Sequence, residues 1–188
     1  MGVDNFIRYD LIAKAIDFYK DLGFVEINVP WHVRPEVSAI TCPAPALAYR
    51  FEDGVLVGSA EQSMIQMALD GELKRECYVT CTPCFRNEPE LDRFHQKYFM
   101  KVELFYFGSS DLKAVREMHA AFDSIKYDAT WFFETMTDKP VQEVYTSDTD
   151  CDLEIDGIEV GSYNIRRHGN IQWVCGTGLA LPRFTKVM

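Results

Sequence analysis

The tetrapeptide FRNE at residues 85–88 places two oppositely charged residues where they can act together. It closes the stretch CYVTCTPCFRNE, whose β-branched and aromatic residues predict a strand. Arg86 and Glu88 are two positions apart, so on a strand their side chains point to the same face. A nucleotide suits such a pair, because Arg86 can bind a phosphate and Glu88 can accept from an adenine amino group. Taken alone, the spacing also fits an ordinary surface ion pair.

The residues that follow favour the nucleotide interpretation. A charged loop carries Arg93 and His95, and Phe99 and Glu103 come next. This order resembles motif 2 of the class II aminoacyl-tRNA synthetases, and the strings TPCFRNE and RFHQKYFMKVEL are most similar to the seryl-type enzymes. The resemblance implies that Arg86 binds the α-phosphate of ATP, that Arg93 or His95 reaches the γ-phosphate, and that Phe99 lies under the adenine ring. It also assigns Glu103 to the nucleotide site.

A second string, GTGLALPR at residues 176–183, resembles motif 3 of the same family, with Ala180 in place of the third glycine. Small residues at Gly176 and Gly178 would let the backbone approach the nucleotide closely. The resemblance implies that Arg183 lies over the adenine and pairs with the γ-phosphate, because a guanidinium can stack and donate hydrogen bonds at once.

Upstream, GFVEINVP at residues 23–30 resembles motif 1, which forms the homodimer interface in that family. The three motifs occur in the family's order and span the chain. They imply a class II catalytic core that binds ATP and forms a homodimer.

Ser59-Ala60-Glu61 is similar to the T-x-E loop of the seryl and threonyl enzymes. The resemblance implies that Glu61 takes the α-amino group of an amino acid substrate. The same residues also fit a helix start, with Ser59 as the cap and Glu61 in the first turn.

The segment DLEIDGIEVGSYNIRR resembles the stretch that precedes motif 3. It implies that Glu159 and Ser162 are magnesium ligands, and oxygen ligands suit a hard cation that bridges phosphates. Arg166 and Arg167 could bind a substrate carboxylate, or they could be edge-strand arginines in solvent.

The resemblance implies a reaction that needs no protein nucleophile. A carboxylate attacks the α-phosphorus of ATP, pyrophosphate leaves and an acyl-adenylate remains. Catalysis is then positioning and charge neutralisation by Arg86, Arg183 and magnesium.

Cysteine spacing raises the question of zinc, since Cys77, Cys81 and Cys84 form CxxxCxxC. On a strand these spacings place Cys84 on the opposite face from the other two. Some seryl-like relatives hold zinc with two cysteines and the last glutamate of motif 2, here Glu103, but we find no complete ligand set. We expect no zinc, and we expect free thiols.

The elements that position these residues indicate an α+β fold. Helices and strands alternate irregularly, and Asp156-Gly157 predicts a tight hairpin turn. We expect a single domain over residues 1–188, with an antiparallel sheet flanked by helices. The predicted helices are an amphipathic helix over 4–22 ended by Gly23, a helix from Ser59 or Glu61, and a long helix capped by Ser110 or Asp111. The predicted strands lie over 24–31, 55–58, 77–88, 97–108, 151–155, 158–165 and 171–175. We predict loops at 34–47, 89–96 and 137–150.

The net charge of this 188-residue chain limits the kinds of partner that it can bind. The net charge is −10, from 19 basic and 29 acidic side chains, which argues against an extensive nucleic-acid interface. No secretory signal or long apolar run is present, so we expect a cytoplasmic protein. The chain shows the catalytic motifs without a tRNA-reading domain, and we therefore expect the activated amino acid to go to an acceptor other than standard tRNA. The alternatives are a minimal aminoacyl-tRNA synthetase and a non-catalytic regulatory paralog that binds a nucleotide or an amino acid.

Overall fold

The structure is a computed structural model that describes residues 7–42, 48–92, 95–109 and 114–188, with the backbone alone at residue 109. Its helices are α1 (Tyr9–Asp21), α2 (Pro35–Thr41), α3 (Ala60–Leu69), α4 (Val115–Thr137) and a final 3-10 turn (Arg183–Lys186). Its strands are β1 (Val25–Glu26), β2 (His32–Val33), β3 (Tyr49–Phe51), β4 (Gly54–Leu56), β5 (Cys77–Phe85), β6 (Tyr98–Ser109), β7 (Gln142–Ser147), β8 (Asp150–Ile155), β9 (Ile158–His168) and β10 (Ile171–Leu181).

A large sheet organises the described part of the chain, in the strand order β1-β5-β6-β10-β9-β8-β7. The edge strand β1 runs parallel to β5, and all other neighbours are antiparallel. A small sheet of order β2-β4-β3 lies beside it. The predicted α+β class with an antiparallel sheet flanked by helices is confirmed.

The two faces of the large sheet differ in what covers them. Helices α1 and α4 pack on one face, where Leu11 and Phe122 meet sheet residues such as Val102 in the main core. Helices α2 and α3 cover only part of the other face, around Trp173. The rest of this second face stays open as a cleft, which polar side chains of β6, β9, β10 and the segment after β5 line.

Several local predictions are confirmed. Helix α1 ends before Gly23, which has φ +95°, a conformation that favours glycine. Ser59 is the N-cap of α3. Asp156 and Gly157, both with positive φ, connect β8 to β9 as the Asp-Gly signal predicts.

Two predicted loops are wrong. The proline-rich stretch 34–47 contains helix α2, because Pro35 stands in the first turn, where its missing N–H costs nothing. The polar stretch 137–150 contains β7, an edge strand whose six residues are all exposed and therefore show no apolar alternation. The predicted caps Ser110 and Asp111 lie outside the described residues. No described helix combines the length and the apolar character needed to cross a membrane.

Candidate active site

Two adjoining cavities open on the uncovered face of the large sheet. The first has a volume of about 280 Å³ and the second about 300 Å³. Four residues line both cavities and form their common wall: Arg86, Glu88, Lys101 and Ser162. The site can therefore hold two ligands side by side, with cationic groups where they meet.

The first cavity gathers most of the residues that the sequence assigned to a nucleotide. Those that line it are Arg86, Glu88, His95, Phe99, Glu159, Ser162 and Arg183. Arg86 and Glu88 follow β5, which ends at Phe85, so the predicted strand over 77–88 is three residues too long. The others come from β6, β9, the loop before β6 and the turn after β10, so only the fold brings them together. Arg93 lies outside the described residues.

Arg86 is held in place from two sides. Its guanidinium lies over the ring of Phe99, 5.2 Å from the ring centroid, which is the geometry of a cation–π contact. Its Nε donates to the carbonyl of Gly58 over 3.2 Å. Because these contacts fix the side chain, its terminal nitrogens can be directed at a phosphate without further ordering.

Arg183 and Glu159 form an ion pair, with 2.9 Å between Nη1 and Oε1. Arg183 opens the 3-10 turn after β10, and Glu159 lies near the start of β9. Both side chains are partly exposed to the cavity. A bound nucleotide would have to compete for the guanidinium.

A β-bulge aligns Glu159 with Ser162. Residues three apart on a regular strand point to opposite faces, yet both of these line the first cavity. The β8–β9 register shifts between Leu153 opposite Gly161 and Glu154 opposite Glu159, which leaves one extra residue in β9 and resets the alternation.

The side chains of Glu159 and Ser162 fit the magnesium that the resemblance implies, since a carboxylate and a hydroxyl offer oxygen ligands. Two ligands are an incomplete set, and phosphate oxygens commonly supply the others for this ion. Within the described ranges, no group of three or more His, Cys, Asp or Glu side chains is arranged to hold a metal.

The second cavity contains the predicted substrate residues Ser59, Glu61 and Arg166. Ser59 and Glu61 fit both interpretations of the sequence, because Ser59 caps α3 by accepting from the Glu61 backbone N–H while both side chains line the cavity. Glu61 Oε1 accepts from Trp173 Nε1 over 2.8 Å and lies 3.7 Å from Arg166 Nε. Burial raises the pKa of Glu61, although Trp173 and Arg166 oppose the shift.

Glu103, which the sequence assigned to the nucleotide, lines the second cavity and not the first. Its side chain is nearly fully buried, and its carboxylate accepts from the hydroxyl of Ser59, the N–H of Ala60 and the Nζ of Lys101. Two of these donors belong to the start of α3. Glu103 therefore fixes this helix end against β6.

Gly176 and Gly178 line neither cavity, so the structure does not place them at the nucleotide. A Cβ on Gly176 would lie 2.4 Å from the Tyr163 ring, and one on Gly178 would lie 2.8 Å from the Tyr19 ring. Both glycines belong to β10 rather than to a turn, and they face the helices α1 and α4. They make room for core aromatic rings.

Sequence reasoning missed Lys101, which lies on the wall between the cavities. Its Nζ is 3.0 Å from Glu103 Oε1, and its side chain is largely buried. Burial lowers the pKa of Lys101, but the Glu103 carboxylate raises it, and the net shift is upward. The signal was present in its position between Phe99 and Glu103, at the two-residue period of a strand face. Asn164 carried the same signal, two residues after Ser162 and two before Arg166, whereas Trp173 had none.

Cys77, Cys81, Cys84, Cys151 and Cys175 are free thiols, as expected. Cys77 and Cys81 pack against the core under α1 and α4, whereas Cys84 is buried and lies outside that cluster. Burial raises the pKa of Cys84 to about 12.

Solved structures with a similar fold identify this architecture. The seryl-tRNA synthetase of Pyrococcus horikoshii, solved with ATP, matches 95% of this chain with a TM-score of 0.77 and 21% identity. The cytoplasmic serine-tRNA ligase of Naegleria fowleri, solved with AMP, matches 95% of this chain with a TM-score of 0.73 and 20% identity. The pyrrolysyl-tRNA synthetase PylSc of Desulfitobacterium hafniense also matches 95% of this chain, with a TM-score of 0.72 and 16% identity. The chain has the fold of a class II aminoacyl-tRNA synthetase catalytic domain.

The chain spans about half of each seryl enzyme, 49% and 47% of their chains, and 68% of the pyrrolysyl enzyme. In sequence comparisons, neither a protein-family model nor a curated protein matches it. The likeness is therefore one of fold, and the activity must be argued from the site.

Proposed function

We propose that this domain activates an amino acid, or a related carboxylate, with ATP to form an acyl-adenylate. The observation that carries the proposal is the common wall of the two cavities, where Arg86 and Lys101 lie. Lys101 is paired with Glu103, so we assign to Arg86 the charge that suits the reaction of one anion, a carboxylate, with another, a polyphosphate.

The first cavity takes the ATP. Phe99 offers an aromatic face and Glu88 an acceptor for the adenine, while Arg86, His95 and Arg183 supply positive or hydrogen-bonding groups for the phosphates. Glu159 and Ser162 would hold magnesium, which would neutralise phosphate charge when bound. The solved seryl neighbours contain ATP and AMP, which is consistent with a nucleotide in this fold.

The second cavity takes the carboxylate substrate. Glu61 offers a carboxylate for an ammonium group, and its hydrogen bond from Trp173 holds it in place. The substrate carboxylate then faces Arg86 and the α-phosphorus. Its oxygen attacks that phosphorus, the bond to the bridging oxygen breaks, and pyrophosphate leaves with the electron pair.

No side chain needs to act as a nucleophile in this scheme. The thiol of Cys175 lines the second cavity, but burial raises its pKa far above the usual range. It therefore stays protonated and is a poor nucleophile. Positioning by Arg86 and charge neutralisation account for the chemistry.

We further propose that the acceptor of the acyl group is not standard tRNA. The net charge of −10 supports this, because each phosphate contact needs a cation and Arg86 and Arg183 are already assigned to ATP. Acylation of total tRNA at about 150 mM salt tests it. Efficient charging of one tRNA would instead favour a minimal synthetase.

We also propose a homodimer that forms through residues 23–30. The edge strand β1 lies in this segment, and Val25 is partly exposed there. Trp31, which directly follows residue 30, is 55% exposed. A strand edge with exposed apolar groups is a natural site of association. Sedimentation equilibrium at micromolar concentration tests the proposal, and a monomer would contradict it.

The experiment for the activation step is amino-acid-dependent exchange of labelled pyrophosphate into ATP, run over the protein amino acids. We expect exchange with one or a few of them, and none in Arg86→Ala. ATP bound as tightly by the Arg86→Ala, Arg183→Ala double variant as by the wild type would contradict the nucleotide site. Binding without exchange would favour the non-catalytic regulatory alternative.

A further inference from the structure

Arg166 lines the second cavity, and its side chain is 45% exposed. It shares the cleft face of β9 with Ser162 and Asn164, and all three line this cavity. Its Nε donates to Asn164 Oδ1 over 2.8 Å, and Asn164 is only 9% exposed. The base of the guanidinium is thus anchored on a buried side chain.

The terminal nitrogens of Arg166 are available to a ligand. Its closest approach to Glu61 is again through Nε, at 3.7 Å, which is an ion-pair contact beyond hydrogen-bonding distance. Within the described ranges, Nη1 and Nη2 of Arg166 make no hydrogen bond. A guanidinium presents these two nitrogens as a fork that matches a carboxylate.

The reacting carboxylate is already accounted for by other residues. It must lie beside the α-phosphorus, at the wall that Arg86 and Lys101 share between the cavities. Arg166 lines the second cavity alone. Its fork therefore serves a different group of the substrate.

The neighbours of Arg166 indicate the charge of that group. Glu61 lies beside it and offers its carboxylate to an ammonium, so the two residues present one anion and one cation next to each other. An apolar substrate side chain would remove water from the guanidinium without replacing its hydrogen bonds, which is costly. A second carboxylate next to the ammonium satisfies both residues.

We propose that the substrate carries a second anionic group, as an acidic amino acid does, and that Arg166 binds this group and sets the specificity. The proposal rests on the proposed activation of a carboxylate in this site. It names Arg166 as a specificity residue and an α-amino dicarboxylic acid as the substrate class.

The test measures binding and activity separately. Calorimetry with aspartate, glutamate, their amides and alanine follows binding, and pyrophosphate exchange with the same compounds follows activation. Arg166→Gln removes the fork, and Arg167→Gln is the matched control, since it makes the same change one residue away and lines neither cavity. We expect wild-type and Arg167→Gln proteins to prefer an acid over its amide, and Arg166→Gln to lose about ten- to a hundredfold in affinity for the acid alone.

The outcomes separate the two proposals. Binding of an acid that depends on Arg166, without exchange, supports the substrate class and contradicts the activation step. Exchange with a neutral amino acid in preference to the acids supports activation and overturns the role of Arg166. An equal loss in the Arg166→Gln and Arg167→Gln variants would also overturn it.

Discussion

Arg183 and Glu159 neutralise each other across the first cavity, with 2.9 Å between guanidinium and carboxylate. In our account one of them binds the γ-phosphate and the other holds magnesium. The ligand-free protein therefore keeps the two groups paired, and binding of the nucleotide exchanges this pair for contacts with phosphate and metal.

Glu159→Gln should separate the two roles. Without magnesium, ATP no longer competes with the Glu159 carboxylate for Arg183. We expect the affinity of the variant for ATP to rise about two- to fivefold, which corresponds to the free energy of a partly exposed ion pair. With magnesium, affinity should fall because a ligand is lost. Calorimetry with and without a chelator measures both.

The control is Glu154→Gln, which changes the residue opposite Glu159 on β8. It should leave ATP affinity unchanged under both conditions. If both variants changed ATP affinity equally, the effect would come from the lost negative charge alone. That result would contradict the specific contacts of Glu159 with Arg183 and magnesium.

Gly176→Ala tests the view that this glycine makes room for Tyr163. The new Cβ would lie 2.4 Å from the ring, so the ring must move. We expect the free energy of unfolding to fall by about 1–3 kcal/mol, with the ATP affinity of the folded protein unchanged. Chemical denaturation and calorimetry measure the two. Gly58→Ala is the comparison for stability, since its Cβ would make only ordinary contacts, the nearest at 3.5 Å.

Much of this fold could be predicted from local patterns in the sequence. The amphipathic period of α1, the glycine after it and the Asp156-Gly157 turn each encode their structure within a few residues. Helix α2 and strand β7 were missed, because the first is masked by prolines and the second has no buried face.

The candidate site was less accessible to sequence reasoning. Residues of one strand face, such as Phe99 and Lys101, follow a simple period of two. The bulge that turns Glu159 and Ser162 to the same face depends on pairing with β8, which no local pattern encodes. Whether a glycine faces the nucleotide or the core likewise depends on packing.

Glu103→Gln should destabilise the protein. It leaves Lys101 buried without its counter-ion, and we expect a loss of about 3 kcal/mol in the free energy of unfolding. Lys101→Met combined with Glu103→Gln should lose less than Glu103→Gln alone, because no unpaired charge remains. Chemical denaturation measures these values, and additive losses would contradict a coupled pair.

Glu61→Gln should change how stability depends on pH. The pKa of Glu61 is raised in the folded state, so the folded protein holds this proton more tightly than the unfolded chain does. The wild type therefore loses stability as the pH rises from the unfolded value of a glutamic acid toward the folded one. Glutamine does not titrate, so the variant does not share this loss. The free energy of unfolding of Glu61→Gln, measured relative to that of the wild type, should therefore rise as the pH goes from acidic to neutral. Denaturation across this range measures the difference, and a constant difference would contradict it.

The central claim is that a substrate carboxylate attacks the α-phosphorus of ATP beside Arg86. A substrate with ¹⁸O in its carboxylate tests it directly. After activation and release of the acyl group, mass spectrometry should find one ¹⁸O in the phosphate of AMP, and no labelled AMP should form with Arg86→Ala. Label in inorganic phosphate would show attack at the γ-phosphorus, and unlabelled AMP would show hydrolysis without a carboxylate; either result would contradict the account.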